Sequence, residues 1–232
     1  MHQDEPWPTT PEALIALQEQ LGRAAPAPWA PAGRVRVVAG CFICFARHKV
    51  GAGAAGDPGW AAAALLVDGR LRAVAQVRGA AGAPYAPGLL ALREGPLLEA
   101  AVRGLPARPE VLLVNATGRD HPRRAGLAVH LGARLDLPTI GVTSRPLVAS
   151  GALPADAPGA RSPLVQDGEH VGYWVRVHPG VRPLAVHAAW RTDPEVAAAV
   201  TLAATGPALA PEPLRQARRA AREARAADAC GG

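Results

Sequence analysis

The chain is expected to form a single α/β domain: a mixed sheet flanked by helices. Two observations predict this. Three consecutive strand-like segments, with one tight antiparallel turn, come first. Helical and short apolar segments then alternate, which is how parallel strands are connected. The 232 residues suit one sizeable domain, and a 49% hydrophobic content is enough for one core.

Thr10-Pro11-Glu12 has the signature of a helix start, with Leu14, Leu17 and Leu21 as its apolar stripe. Residues 1–9 are polar and are expected to be loose. Ala25–Gly33 is a Pro/Ala linker. Arg34–Phe45 alternates and then turns wholly apolar, as a central strand does. A Gly-rich loop, Ala46–Gly59, follows. Ala61–Val67 and Leu71–Val77 form a hairpin around Asp68-Gly69. Beyond the Gly/Pro loop Gly79–Pro87, a helix is predicted over Gly88–Arg103 with Pro96 inside it, then a strand at Val111–Val114. His121–Leu135 reads as a helix with Pro122 at its start, and Thr139–Val142 as a strand. Residues 145–161 are irregular. Leu164–Gln166, Tyr173–Val177 and Leu184–Ala188 are candidate strands, and Pro194–Ala204 and Pro211–Ala227 helices. The implied organisation is an N-terminal helix and linker (1–33), a main domain (34–208) and a basic C-terminal helix and tail (209–232).

No apolar run crosses a membrane without meeting Arg, Asp or Pro, and the acidic, polar start is not a secretory signal. The expected location is the cytoplasm. Three cysteines make no disulfide framework. Cys41 and Cys44 lie three apart on a strand, hence on opposite faces, so they read as buried thiols rather than a zinc knuckle. Cys230 belongs to the tail. The net charge of +6 comes almost wholly from arginine, with Lys49 the only lysine. That balance permits nucleic-acid binding without establishing it.

Several segments, in order, resemble the endonuclease V family. They are Val38-Ala39-Gly40 at the end of the first strand and Pro84-Tyr85-Ala86-Pro87-Gly88-Leu89-Leu90 followed by Leu92-Arg93-Glu94. Gly118-Arg119-Asp120-His121-Pro122-Arg123 and Leu137-Pro138-Thr139-Ile140-Gly141-Val142 complete them. The resemblance is dense over residues 35–145 and thinner to about 205. It implies a ribonuclease-H-like fold and cleavage near deoxyinosine in DNA or inosine in RNA. It also implies a divalent metal, Mg²⁺ or Mn²⁺, held by oxygen ligands.

The family's catalytic positions are where this chain departs. The first-strand Asp aligns with Phe42 and the fourth-strand Asp with Asn115. The Lys of Gly-Val-Ala-Lys aligns with Ser144, and a late His with Trp190. Glu94 and His121 remain, with Asn115 offering a carbonyl oxygen beside Glu94 as the residual metal ligands. Phe42 and Asn115 are expected to be neighbours beside Glu94.

Each remaining feature has two readings. Tyr85 and Pro87 form the family's base-stacking wedge or an ordinary surface loop. Gly88, Leu89 and Gly118 line a pocket for a flipped base, narrowed by Ala116, or are turn residues. Glu94 is a metal ligand or a helix-surface carboxylate. His121, read as a helix opener, meets a phosphate or makes a local bond, and Arg123 follows it as a nucleic-acid contact. Asp120 is a replacement ligand or a solvated loop residue. Cys44 shares a strand face with Phe42 and points to the old metal site. Arg215, Arg218, Arg222 and Arg225 form one helical stripe, following phosphates or solvated.

Three functions fit. One is a pseudoenzyme that binds DNA or RNA without cutting. Another is an enzyme, either a feeble metal-dependent nuclease or a fold put to other chemistry. The last is a protein-interaction module.

Overall fold

A computed structural model of the chain describes residues 5–46 and 53–230; Lys49 lies outside them. Eight strands form one mixed sheet in the order β3-β2-β1-β4-β5-β8-β7-β6. The strands are β1 (Val37–Phe45), β2 (Pro58–Val67), β3 (Arg70–Ala80), β4 (Val111–Val114), β5 (Thr139–Thr143), β6 (Arg161–Gln166), β7 (Glu169–Val175) and β8 (Leu184–Ala188). The helices are α1 (Pro11–Arg23), α2 (Leu90–Arg103), α3 (Leu127–Leu135), α4 (Pro194–Thr205) and α5 (Glu212–Cys230). This is the ribonuclease-H-like mixed sheet flanked by helices.

The antiparallel meander β1–β3 turns at Asp68-Gly69, both with positive φ, as a two-residue hairpin turn requires. β4 pairs parallel to β1, and β5 parallel to β4, with α2 and α3 as the crossovers. β8 and β7 continue antiparallel, and β6 is the far edge.

Alternation on the central strands sorts the helices into two layers. Leu112 and Val114 face the core shared with α1, α2 and α3, together with Cys41 and Ile43. Val111 and Leu113 face α4 and the start of α5. Gly40 makes the second layer possible. A Cβ there would lie 2.5 Å from the backbone of Pro213, so only glycine lets α5 settle on β1. Thr10 caps α1 by accepting the Ala13 N–H at 3.2 Å.

Three sequence expectations are corrected. The N-terminal segment is not loose throughout: Trp7 packs on α2, its Nε1 donates to Glu99, and its ring stacks on His130. Arg134 also binds Glu99, at 2.6 Å, which ties this segment to α3. The helix predicted from His121 begins at Leu127, because residues 119–126 spend their polar groups on tertiary contacts. The edges of several strands also move: β3 runs on to Ala80, and β7 begins at Glu169 rather than Tyr173.

Candidate functional site

The parallel strands end together, and the candidate site lies at their C-terminal ends. Cys41 registers with Val114, so Phe42 and Asn115 are the next residues on adjacent strands. A cavity of about 160 Å³ opens beside Asn115, between the Tyr85 loop and the start of α3. Tyr85, Gly88, Leu90, Ala116, His121 and Leu127 line it.

Tyr85 is half exposed at the mouth of the cavity. The loop behind it is fixed at one atom. The Gly88 carbonyl oxygen accepts from Gln18 Nε2 at 2.8 Å, His121 Nε2 at 3.0 Å and Arg123 Nη2 at 3.3 Å. Gly88 has φ +75°, a left-handed conformation that suits glycine. His121 Nδ1 accepts the Arg123 N–H, which puts the ring proton on Nε2. Burial lowers the His121 pKa and keeps the ring neutral. Arg123 Nε completes the clamp through Gln18 Oε1 at 2.6 Å. His121 and Arg123 therefore hold the loop in place. Gln18 was invisible to sequence reasoning, since only the packing of α1 brings it here.

Other predicted residues are placed differently. Leu89 packs into the core, while Leu90 lines the cavity. Gly118 lies against the Ala188 carbonyl, where a Cβ would come within 2.2 Å, and does not line the cavity. Pro87 and Ser144 are exposed, Ser144 just past the end of β5. Trp190 is at the opposite end of the sheet: its N–H and carbonyl bond Thr139, the first residue of β5. Its ring packs against the core, so it takes no part in the cluster around Asn115.

Asp120 is neither solvated nor free to bind a ligand. It is fully buried and accepts the backbone N–H groups of Leu147, Val148 and Ala149 at 2.6, 2.9 and 2.7 Å. The Phe42 ring turns to α5, with the Arg218 guanidinium 5.6 Å from its centroid. Cys44 lies on that same face, its Sγ donating to Ala221 O, rather than pointing at Glu94. Arg225 donates to the Phe45 carbonyl at 3.1 Å, and Arg215 pairs with Glu212. Arg218 and Arg225 of the stripe thus lie beside the end of β1.

Glu94 is on α2, one turn beyond Leu90. Burial pushes its carboxyl up to about 7, and the neighbouring Arg93 opposes that only in part. Its charge is felt by Cys41, whose thiol burial also raises. Arg93 itself is committed to Asp57 at 3.3 Å and to the Ala54 and Ala83 carbonyls. One carboxylate and the amide of Asn115 do not make the oxygen-rich set that Mg²⁺ or Mn²⁺ takes. Among the described residues no group of three or more His, Cys, Asp or Glu could hold a metal ion.

The Endonuclease V family profile matches residues 21–219. Endonuclease V of Streptomyces avermitilis is 38% identical over 228 residues, covering 95% of this chain and 96% of that protein. Its crystal structure superposes with a TM-score of 0.85 at 35% identity, covering 96% of each chain. Endonuclease V of Ciona intestinalis, crystallised in complex with a 24mer DNA containing an inosine followed by a ribo-adenosine, shares the fold. There the TM-score is 0.76 at 20% identity, over 92% of this chain and 96% of that one. By its matched profile, and by identity over nearly its whole length, the chain belongs to the endonuclease V family.

Proposed function

We propose that this chain binds nucleic acid through the Tyr85 loop and the cavity behind it, without metal-dependent strand cleavage. The observation that carries the reading is the donor set. Of the aligned positions 42, 94 and 115, only Glu94 offers a carboxylate. The clamped Gly88 and half-exposed Tyr85 support retained binding, since an aromatic face stacks on any base. The Ciona relative, solved on inosine-containing DNA, supports an inosine-bearing strand as the ligand class. On this reading residues 34–208 are the binding domain, and the arginines of α5 extend its basic surface. The cytoplasm is the proposed location; among the described residues no helix is long and apolar enough to cross a membrane.

The test pairs two assays on the full chain: cleavage of deoxyinosine duplex and inosine RNA with Mg²⁺ or Mn²⁺, and fluorescence titration with the same strands. Binding without cleavage is the expected result. Turnover that Glu94→Ala abolishes would sink the reading. Absence of binding even at low salt would favour a protein-interaction module.

The second reading, a feeble metal-dependent nuclease using Glu94 and Asn115, has one observation in its favour. Glu94 is partly shielded from water, which raises its pKa to about 7, and a bound cation is the partner that would reverse that shift.

A further inference from the structure

A chain of three side chains reaches the cavity from behind. Thr143 closes β5 and lines the cavity together with Asn115. Its Oγ1 lies 2.9 Å from Nε2 of His187, the last residue but one of β8. His187 Nδ1 lies 3.4 Å from Asp120 Oδ2, close to it but outside hydrogen-bond geometry, and has no other partner. Asp120 and His187 are both fully buried, while Thr143 is partly exposed. The three backbone N–H groups on Asp120 fix its carboxylate in place.

An acid, an imidazole and a hydroxyl in this order make up a nucleophile with its base and an orienting group. Asp120 opposite Nδ1 favours the tautomer with the proton there, which leaves the Nε2 lone pair for the Thr143 hydroxyl. Burial holds His187 below the ordinary histidine range, so the ring is neutral and able to take a proton. Asp120 offsets the imidazolium that results. The hydroxyl also reaches Arg145 O at 2.7 Å, so attack requires its single proton to turn from that carbonyl to His187. Thr143 stands where the family's Gly-Val-Ala-Lys has alanine, so this hydroxyl is not one of the family's own catalytic groups.

We propose that Thr143 is a nucleophile for acyl transfer from a small carboxylic ester, with His187 as general base and Asp120 as positioning residue. The Thr143 Oγ–H proton passes to His187 Nε2 as Oγ bonds to the ester carbonyl carbon. The carbonyl electron pair moves to oxygen, where the side-chain amide of Asn115 is the donor on the same cavity wall. Collapse breaks the bond to the leaving alkoxide, which takes the proton from His187. In the second half, water gives a proton to His187 and attacks the acyl carbon. Thr143 Oγ then leaves and is reprotonated. The site shares its cavity with the proposed nucleic-acid pocket, but the reaction on a small ester needs no nucleic acid.

The test treats the full chain with 4-nitrophenyl acetate, follows release of 4-nitrophenolate, and maps the acetylated residue by peptide mass spectrometry. The expected result is a burst with one acetyl group per chain, on Thr143. Thr143→Ser retains it and Thr143→Val abolishes it. His187→Gln slows acylation about 10²-fold, the scale of a lost general base. Asp120→Asn moves the pH midpoint of acylation downward, because the imidazolium loses its counter-charge. Label on exposed Ser144, on Lys49 or on the amino terminus in place of Thr143 would overturn the proposal, as would a burst unchanged in Thr143→Val. The Thr143→Val variant keeps the side chain's shape at a partly exposed position, so the outcome does not hang on whether the buried His187 variant folds.

Discussion

His121 Nε2 donates to the Gly88 carbonyl oxygen across 3.0 Å, and this bond joins the loop before α3 to the loop before α2. Gln18 and Arg123 share the same acceptor. Gln18→Leu removes one donor to Gly88 and leaves Arg123 Nε without its partner. It is expected to destabilise the fold by about 1–3 kcal/mol in urea denaturation. Amide hydrogen exchange across residues 85–89 is expected to quicken. Unchanged stability and exchange would show that the clamp is not what holds the loop.

Glu94 sets a pH dependence of unusual sign for a carboxylate. Its folded pKa of about 7 lies above its ordinary 4.5, so the native state holds the proton more tightly than the unfolded one. Its contribution is present below pH 4.5 and is lost as pH rises through 7. Glu94→Gln is expected to flatten that loss, which is on the order of 2 kcal/mol for a shift of this kind in a partly shielded group. Thermal melts between pH 4 and pH 8 measure it. Mn²⁺ is expected to leave the wild-type profile unchanged. A metal-induced gain confined to high pH would favour the second functional reading.

His130 acts in the opposite sense. It is fully buried, neither ring nitrogen has a hydrogen-bond partner, and burial lowers its pKa to about 3. The unfolded chain takes up the proton first, so stability is full above the ordinary histidine pKa of 6.5 and falls as pH drops toward 3. His130→Phe keeps a ring against Trp7 and removes two unsatisfied nitrogens. It is expected to raise the melting temperature, more at pH 5 than at pH 7.5. An equal gain at both pH values would assign the effect to packing alone.

Restoring carboxylates tests the loss of the metal site. Phe42→Asp with Asn115→Asp is expected to bind Mn²⁺ more tightly than the wild type in calorimetric titration, and either change alone to do little. Phe42→Asp also removes a ring packed beneath α5 and Arg218, so some loss of stability accompanies it. Tight Mn²⁺ binding by the unaltered chain would be the contrary outcome.

Stacking and phosphate contact separate by their salt dependence. Tyr85→Ala is expected to weaken nucleic-acid binding by about 1–3 kcal/mol with little change in the salt slope. Replacing Arg218 and Arg222 by alanine is expected to reduce the slope, because fewer counterions are released. Titrations at several salt concentrations distinguish the two. A Tyr85→Ala loss that vanishes at high salt would argue against stacking.

The sequence by itself determined what depends on near neighbours along the chain. The Thr10-Pro11 start of α1, the Asp68-Gly69 turn and the bounds of β4 and β8 follow from capping, φ preference and local apolar runs. The order of motifs was also enough to identify the fold and the family. Tertiary structure alone decided which groups meet. Phe42 and Asn115 come together in register, yet α5, arriving from the far end of the chain, draws the Phe42 ring to its own face. Trp190 follows the late strand in sequence, but β8 runs antiparallel to β5, which carries Trp190 to the other end of the sheet. His121 has a proline after it, as helix starts do, yet Gly88 offers its buried side chain a hydrogen bond that a surface cap would not replace. Asp120, His187 and Thr143 share no motif and are separated by up to 67 positions. The sheet register and the loop that supplies Asp120 with three backbone N–H groups gather them, and spacing along the chain carries no record of that.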